Sequence, residues 1–406
     1  MLIALPAAAQ VETTAPHIQT PSEALSQDAT EYAKLFGVPQ DEAERRLRAL
    51  AESVSATDRI GDTYRDRLAG ISIEHRPSLR ILVYLTGDTP VPTENLTVGG
   101  MTLPIIFKTG AKATRDRVIW AMTYHQAAIR AALPSPPAMG LDPRTGELVV
   151  IVPTATAAAA GREALRARLE AIAGVPVRLR VLDQVDVNLS PAGGSRIEGV
   201  DPADGKRYLC TTGFTVTDGT RYGIATAAHC LDQMDYIDPQ RIATPLSFVG
   251  QWGWGYQDVQ INVASEPLPG LFYADTAKTI ERPVTGQRTR DETRAGDFVC
   301  HRGERTGYSC STVDLTDFAP AGDLCGGACL PTWVTVAGPT CKGGDSGSPV
   351  FIGTTAMGIL KGATYHGAAC MFYFYMSVDY LPKGWSLVMG GATPVAPPPI
   401  DARGAP

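Results

Sequence analysis

The chain has 406 residues, 44% of them apolar and 19% charged, a globular composition rather than a disordered one. Its net charge of -6 gives no basic bias toward nucleic acid, and no apolar run reaches the roughly 18 residues of a membrane span. All eight cysteines lie between Cys210 and Cys370, so a cysteine-free half precedes a cysteine-bearing one. An even cysteine count suggests pairing in an oxidising compartment.

Residues 1–10, "MLIALPAAAQ", read as the end of a secretory signal with a small-residue cleavage site. Residues 11–189 mix helices and strands without βα repeats, which predicts an α+β region. Thr20-Pro21-Ser22-Glu23 predicts a helix start, and Gly37 its end. A second helix follows Pro39, with Ala43, Leu47, Leu50 and Ala51 on one face. Strands are predicted at 71–73 and 79–85, a helix at 114–132 and a strand at 148–152. A helix closed by Gly174 and a strand over 175–182 complete this half. His75 and His125 stand alone and read as surface or hydrogen-bonded histidines rather than ligands.

Residues 190–196, "SPAGGSR", have the composition of a linker. From 197 to 388 short β-rich runs alternate with Gly, Pro, Asp and Asn turns, the pattern of an all-β sandwich or barrel. Residues 389–406 form a Pro-rich tail.

The stretch "GGDSGSPVF", residues 343–351, has the composition of a turn. It also surrounds Ser346 with small residues. A serine hydroxyl becomes a nucleophile only with a base in reach and a group to orient that base. His229, in "YGIATAAHC", ends a strand run beside Cys230. Asp258 opens the alternating run "DVQINVA". Asp232, Asp235 and Asp238 lie close to His229 in polar surroundings, and Asp275 has weaker flanks.

"TAAHC" and "GGDSGSPVF", with an aspartate between them in the order His, Asp, Ser, resemble the chymotrypsin-like serine peptidases. "LCTTGFTV" and "VCHRGERTGYSC" narrow the resemblance to the secreted bacterial α-lytic protease and streptogrisin-type branch, over residues 25–385. The resemblance implies an all-β two-barrel protease domain at 197–388. An α+β pro-region at 11–189 would assist folding and then inhibit, with processing in the 190–196 linker. His229, Asp258 and Ser346 would be catalytic, and the amides of Gly344 and Ser346 would form the oxyanion hole. Lys361, Gly362 and Ala363, in "MGILKGAT", would meet the substrate backbone.

The resemblance further implies disulfides Cys210–Cys230, Cys300–Cys310 and Cys341–Cys370. Cys325 and Cys329 would form a local bridge, a zinc site being the alternative. Asp345 would be a buried structural carboxylate with Arg302 or Arg305 as partner. Two residues depart from the branch: Lys361 stands where a serine usually supports the aspartate, and Ser348 where glycine is usual. No acid occupies "VAGPT" before Cys341, which points to apolar rather than Arg/Lys preference. His366, near the pocket wall, could instead favour acidic side chains.

The implied protein is a secreted or periplasmic serine endopeptidase, made as a self-processing zymogen without metal or cofactor. Its partners would be peptide or protein substrates and its own pro-region, with no nucleic acid or membrane. Lys361 leaves open a catalytically silent relative that binds peptides. A third reading keeps the first half attached as an independent binding domain.

Overall fold

Thr20 sets the start of the first helix, Pro21–Phe36. Its hydroxyl accepts the Glu23 amide while the Glu23 carboxylate accepts the Thr20 amide, a reciprocal cap worth about 1 kcal/mol. Gly37 closes the helix at φ 70°, a left-handed conformation that glycine adopts without a Cβ penalty. The structure, a computed structural model, describes residues 15–183, 187–188, 195–338 and 340–390. The signal-like segment, most of the linker and nearly all of the Pro-rich tail lie outside the described residues.

The second helix, Gln40–Glu52, buries Ala43, Arg46, Leu47, Ala49 and Leu50. Ala51 is exposed, because the buried face runs through Arg46, whose guanidinium is held by Glu42 and the His75 carbonyl. A third helix, Val54–Thr63, follows at once; only Ala56, Thr57 and Ile60 are buried in it, too weak a stripe to read from sequence. The helix predicted over 114–132 is two, Arg115–Tyr124 and Gln126–Ala131. His125 interrupts them at φ -102° and ψ 3°, between the helical and extended regions.

Four strands of the first half, Leu68–Glu74, Arg80–Thr86, Met101–Ala111 and Glu94–Val98, form one sheet in that spatial order. A second sheet contains Ala138–Asp142, Glu147–Val152 and Val177–Val181. Its remaining strand, Thr316–Ala319, comes from the second half and pairs antiparallel with Ala138–Asp142. The two halves therefore share a sheet. They also share a core, in which Tyr32 meets Phe298 edge-on at 5.2 Å. Among the described residues no discrete α+β domain is set apart, because the first half's sheet is completed by a strand from the second half.

The second half is β-rich. Its largest sheet runs in the order Gly307–Thr312, Phe298–Gly303, Pro349–Ile352, Thr355–His366, Ala369–Ser377, Val334–Ala337. A bridge between Val313 and Val336 brings its two ends together, so the sheet curls on itself, consistent with a chymotrypsin-like protease domain. The strands before it are divided among a five-stranded sheet, a four-stranded sheet and a three-stranded sheet in which Leu271–Tyr273 and Ile280–Pro283 join His17–Ile18 of the first half. No second barrel closes there among the described residues. The strands concerned, such as Thr215–Thr217, Asp235–Ile237 and Ala243–Pro245, are 3 residues long, too short to carry a continuous ladder around a barrel.

Candidate active site

Strand register brings His229 and Asp258 to one place. Tyr222–Thr226 and Val259–Val263 are antiparallel neighbours with Thr226 opposite Gln260. His229 lies just beyond the end of the first strand and Asp258 just before the start of the second, so both project from the same edge. The segment that carries His229 is anchored by the Cys210–Cys230 disulfide and by the Thr226 hydroxyl, which donates to the Thr211 carbonyl. The Asp258 amide donates to Met376 Sδ at 3.3 Å.

Ser346 reaches the same point from the curled sheet. The Thr211 amide donates to the Ser346 carbonyl at 2.7 Å, and the Gly347 amide to the Leu360 carbonyl at 2.8 Å. The three side chains form one line: His229 Nδ1 is 2.9 Å from Asp258 Oδ2 and 3.2 Å from Oδ1, and His229 Nε2 is 2.7 Å from Ser346 Oγ. Asp258 and Ser346 are buried, while the imidazole keeps partial access to solvent. An Nδ1–H donor to the carboxylate leaves Nε2 to accept from the hydroxyl, the arrangement in which an imidazole can take a proton from serine.

Lys361 adds a charge to this line. Its side chain is buried, with Nζ 3.4 Å from Asp258 Oδ2 and 5.1 Å from the centre of the Trp333 ring. Burial alone would raise the Asp258 carboxyl, but His229 and Lys361 outweigh it and hold the group below the usual carboxylate range. Burial also pulls the Lys361 ammonium down, against the opposing pull of Asp258. The main-chain carbonyl of Lys361 lies 3.4 Å from Ser346 Oγ.

The loop around Ser346 is fixed by its own polar groups. Gly344 has φ 118° and Gly347 φ 86°, both costly for a residue with a Cβ. A Cβ at Gly347 would also strike the Thr226 hydroxyl and the Thr211 carbonyl. The Asp345 carboxylate accepts the amides of Lys342, Arg305 and Thr306 and the Thr306 hydroxyl. Burial nonetheless raises its pKa above the ordinary value. Arg305 thus serves Asp345 through its main chain, whereas the Arg302 guanidinium donates to the carbonyls of Asp275 and Thr276 and pairs with Glu304. Ser348, the departure from glycine, is fully buried. Its hydroxyl donates to the Asp345 carbonyl and lies 3.1 Å from Thr211 Oγ1, so it ties the loop to a neighbouring strand.

Gly362 and Ala363 are already paired. The short strand Val187–Asn188 lies antiparallel to Thr355–His366, with Asn188 opposite Gly362 and Val187 opposite Ala363. His366 is exposed at the far end of the same strand. The cysteines join as Cys210–Cys230, Cys300–Cys310, Cys325–Cys329 and Cys341–Cys370. Cys325 and Cys329 are therefore bonded to each other rather than held as zinc-binding thiolates. His75 is buried, with its ring nitrogens on the Tyr32 hydroxyl and the Gly296 carbonyl. Sequence reasoning missed Met376 and Trp333, which reach Asp258 and Lys361 only through sheet pairing and carry no motif.

No protein-family model matches the chain. It is 28% identical over 214 residues to Streptogrisin-C of Streptomyces griseus, a span of 48% of this chain and 42% of that protein. The chain thus spans 42% of the length of this curated relative. Among solved structures it is similar to a glutamic acid specific serine protease, at 21% identity and a TM-score of 0.37, over 46% of this chain and 94% of that one. It is also similar to Thermobifida fusca Protease A, at 22% identity and a TM-score of 0.36, over 49% and 98%.

Proposed function

We propose that this chain is the precursor of an exported serine endopeptidase that cleaves peptide bonds through an acyl-enzyme. The observation that carries the reading is the unbroken line from Asp258 through His229 to Ser346 Oγ. Ser346 Oγ attacks the peptide carbonyl carbon as His229 Nε2 takes its proton. The C–N bond then breaks, and His229 returns the proton to the departing amine. Water repeats the sequence on the ester. Asp258 fixes the imidazole tautomer and offsets the charge of the imidazolium. The amides of Gly344 and Ser346 are assigned to the developing oxyanion, where one donor is worth about 3 kcal/mol in the barrier.

Residues 11–189 act in this reading as pro-region and intramolecular inhibitor. The pairing of Val187–Asn188 with Gly362 and Ala363 supports it, since those are the residues assigned to the substrate backbone. Processing in the 190–196 linker would release that pairing. Four disulfides and the signal-like start support an extracellular or periplasmic setting. The absence of an acid before Cys341 in the sequence favours apolar side chains in the primary pocket.

A fluorophosphonate probe tests the reading. Secreted wild-type material is expected to label on Ser346, and Ser346→Ala to give only an unlabelled, uncleaved chain. Labelling that survives Ser346→Ala assigns the nucleophile to another residue and contradicts the line of three, whereas a mature wild-type protein that never labels leaves a silent peptide-binding relative as the answer. Profiling on a diverse peptide library tests specificity, and a dominant Arg/Lys preference contradicts the pocket assignment.

A further inference from the structure

We infer that Lys361 is a positioning residue that sets the pH range of the site through the charge it places on Asp258. The inference rests on the peptidase reading above. Lys361 touches the line of three at both of its ends: its carbonyl faces Ser346 Oγ, and its ammonium faces Asp258 Oδ2. The side chain is 1% exposed. A lysine buried to this degree needs a carboxylate in contact or it loses its proton. Asp258 is the one charged group facing Nζ among the described residues. Trp333 covers the ammonium from the other side with the negative face of its ring. His229 faces the same carboxylate from across the site.

Three groups therefore share one negative charge. A neutral donor in this slot would hold the Asp258 oxygen in place and leave its full charge for the imidazole. Lys361 faces the oxygen as an ion pair at 3.4 Å, without a hydrogen bond, and neutralises part of that charge. When His229 takes a proton from Ser346, two cations then flank one buried carboxylate, and the attraction each feels is reduced. Two consequences follow. The carboxylate draws a proton onto the resting imidazole less strongly than an unshared charge would. The imidazolium formed during attack is less well stabilised, so the maximal rate is lower than with an uncharged donor.

Two variants separate charge from support. Lys361→Gln keeps a donor without the charge, and Lys361→Met keeps the length without a donor. The acid limb of kcat/KM is expected to move up by about one pH unit in both, leaving roughly tenfold less relative activity one unit below the wild-type limb. Only Lys361→Met is expected to lose kcat as well, because Asp258 is then unsupported. An unmoved acid limb in both variants overturns the inference, whatever happens to kcat or thermal stability.

The same comparison in a Ser346→Ala background needs no activity. An NMR titration of the His229 imidazole in the intact chain, with and without Lys361→Gln, should give an upward displacement of the same size. No displacement overturns the inference by itself. Because this second measurement does not use peptidase chemistry, its failure is distinguishable from a wild-type protein that simply does not label.

Discussion

Asp28 and Arg282 stand 254 positions apart in the chain and form an ion pair at 2.9 Å with neither side chain exposed. Asp28 belongs to the first helix, and Arg282 to the strand Ile280–Pro283 of the second half. The carboxylate also accepts the Tyr308 hydroxyl and the Gly353 amide, and Arg282 donates to Gln19. The first half is thus fastened to the second by buried charge as well as by a shared sheet. Removing one partner leaves the other charged and unpaired. Asp28→Asn is expected to cost about 3–5 kcal/mol in denaturant unfolding of the intact Ser346→Ala chain. Asp28→Leu with Arg282→Met should cost less than the sum of the single changes; strict additivity rules out a coupled pair.

Acid should loosen the intact chain. Burial pushes the His75 imidazole down to about 4 from 6.5, and His301 likewise to about 4. In the unfolded chain each takes a proton below about pH 6.5, whereas the folded chain resists until about 4. The unfolded state therefore binds more protons across that window, and stability falls as pH drops through it. The full contribution is present above pH 6.5. His75 accounts for a loss of up to roughly 3 kcal/mol by pH 4. His75→Gln should flatten the pH dependence of the unfolding midpoint by one proton over that range, and an unchanged slope contradicts the assignment.

The loop carrying Ser346 should tolerate little change. Gly347→Ala adds a Cβ against the Thr226 hydroxyl and the Thr211 carbonyl at a positive φ. The Ser346 amide and hydroxyl then shift together, and a loss of about 100-fold or more in kcat is expected. Ser348→Ala removes one buried donor from the Asp345 carbonyl and from Thr211. It should cost about 1–2 kcal/mol of stability with a smaller effect on rate. Paired thermal melts and kinetics of the two variants check this ordering.

Mature protein, if the precursor reading holds, should begin within or next to the linker 190–196. N-terminal sequencing of the secreted product gives the position directly. A single secreted species that still carries residues 11–189, active without cleavage, contradicts the reading of that region as an inhibitor.

Much of the site was legible because its chemistry is local. "TAAHC" and "GGDSGSPVF" carry their own geometry, small residues at a strand end and glycines at positive φ, so His229 and Ser346 could be read from short strings. Asp258 followed from the alternation of the strand after it. The contact between Lys361 and Asp258 was not legible, because nothing in "ILKGAT" says which way a lysine in a buried strand will point. The union of the halves was equally hidden. Thr316–Ala319 looks like any short strand, and only tertiary pairing sends it to the sheet of Ala138–Asp142. Non-local pairing of this kind leaves no periodicity in either segment.

The strand Val187–Asn188 has a consequence in the arithmetic of competition. A segment tethered beside its own groove acts at an effective concentration in the millimolar range. A dissolved peptide of equal intrinsic affinity would need a comparable concentration to displace it. If that strand inhibits as proposed, diluting the uncut chain does not relieve the blockade. In the precursor reading, once the linker is cut the first half is held only by its non-covalent contacts, and its occupancy of the groove then depends on dilution. Release into a larger volume would then do the work of an activator, with no further molecule required.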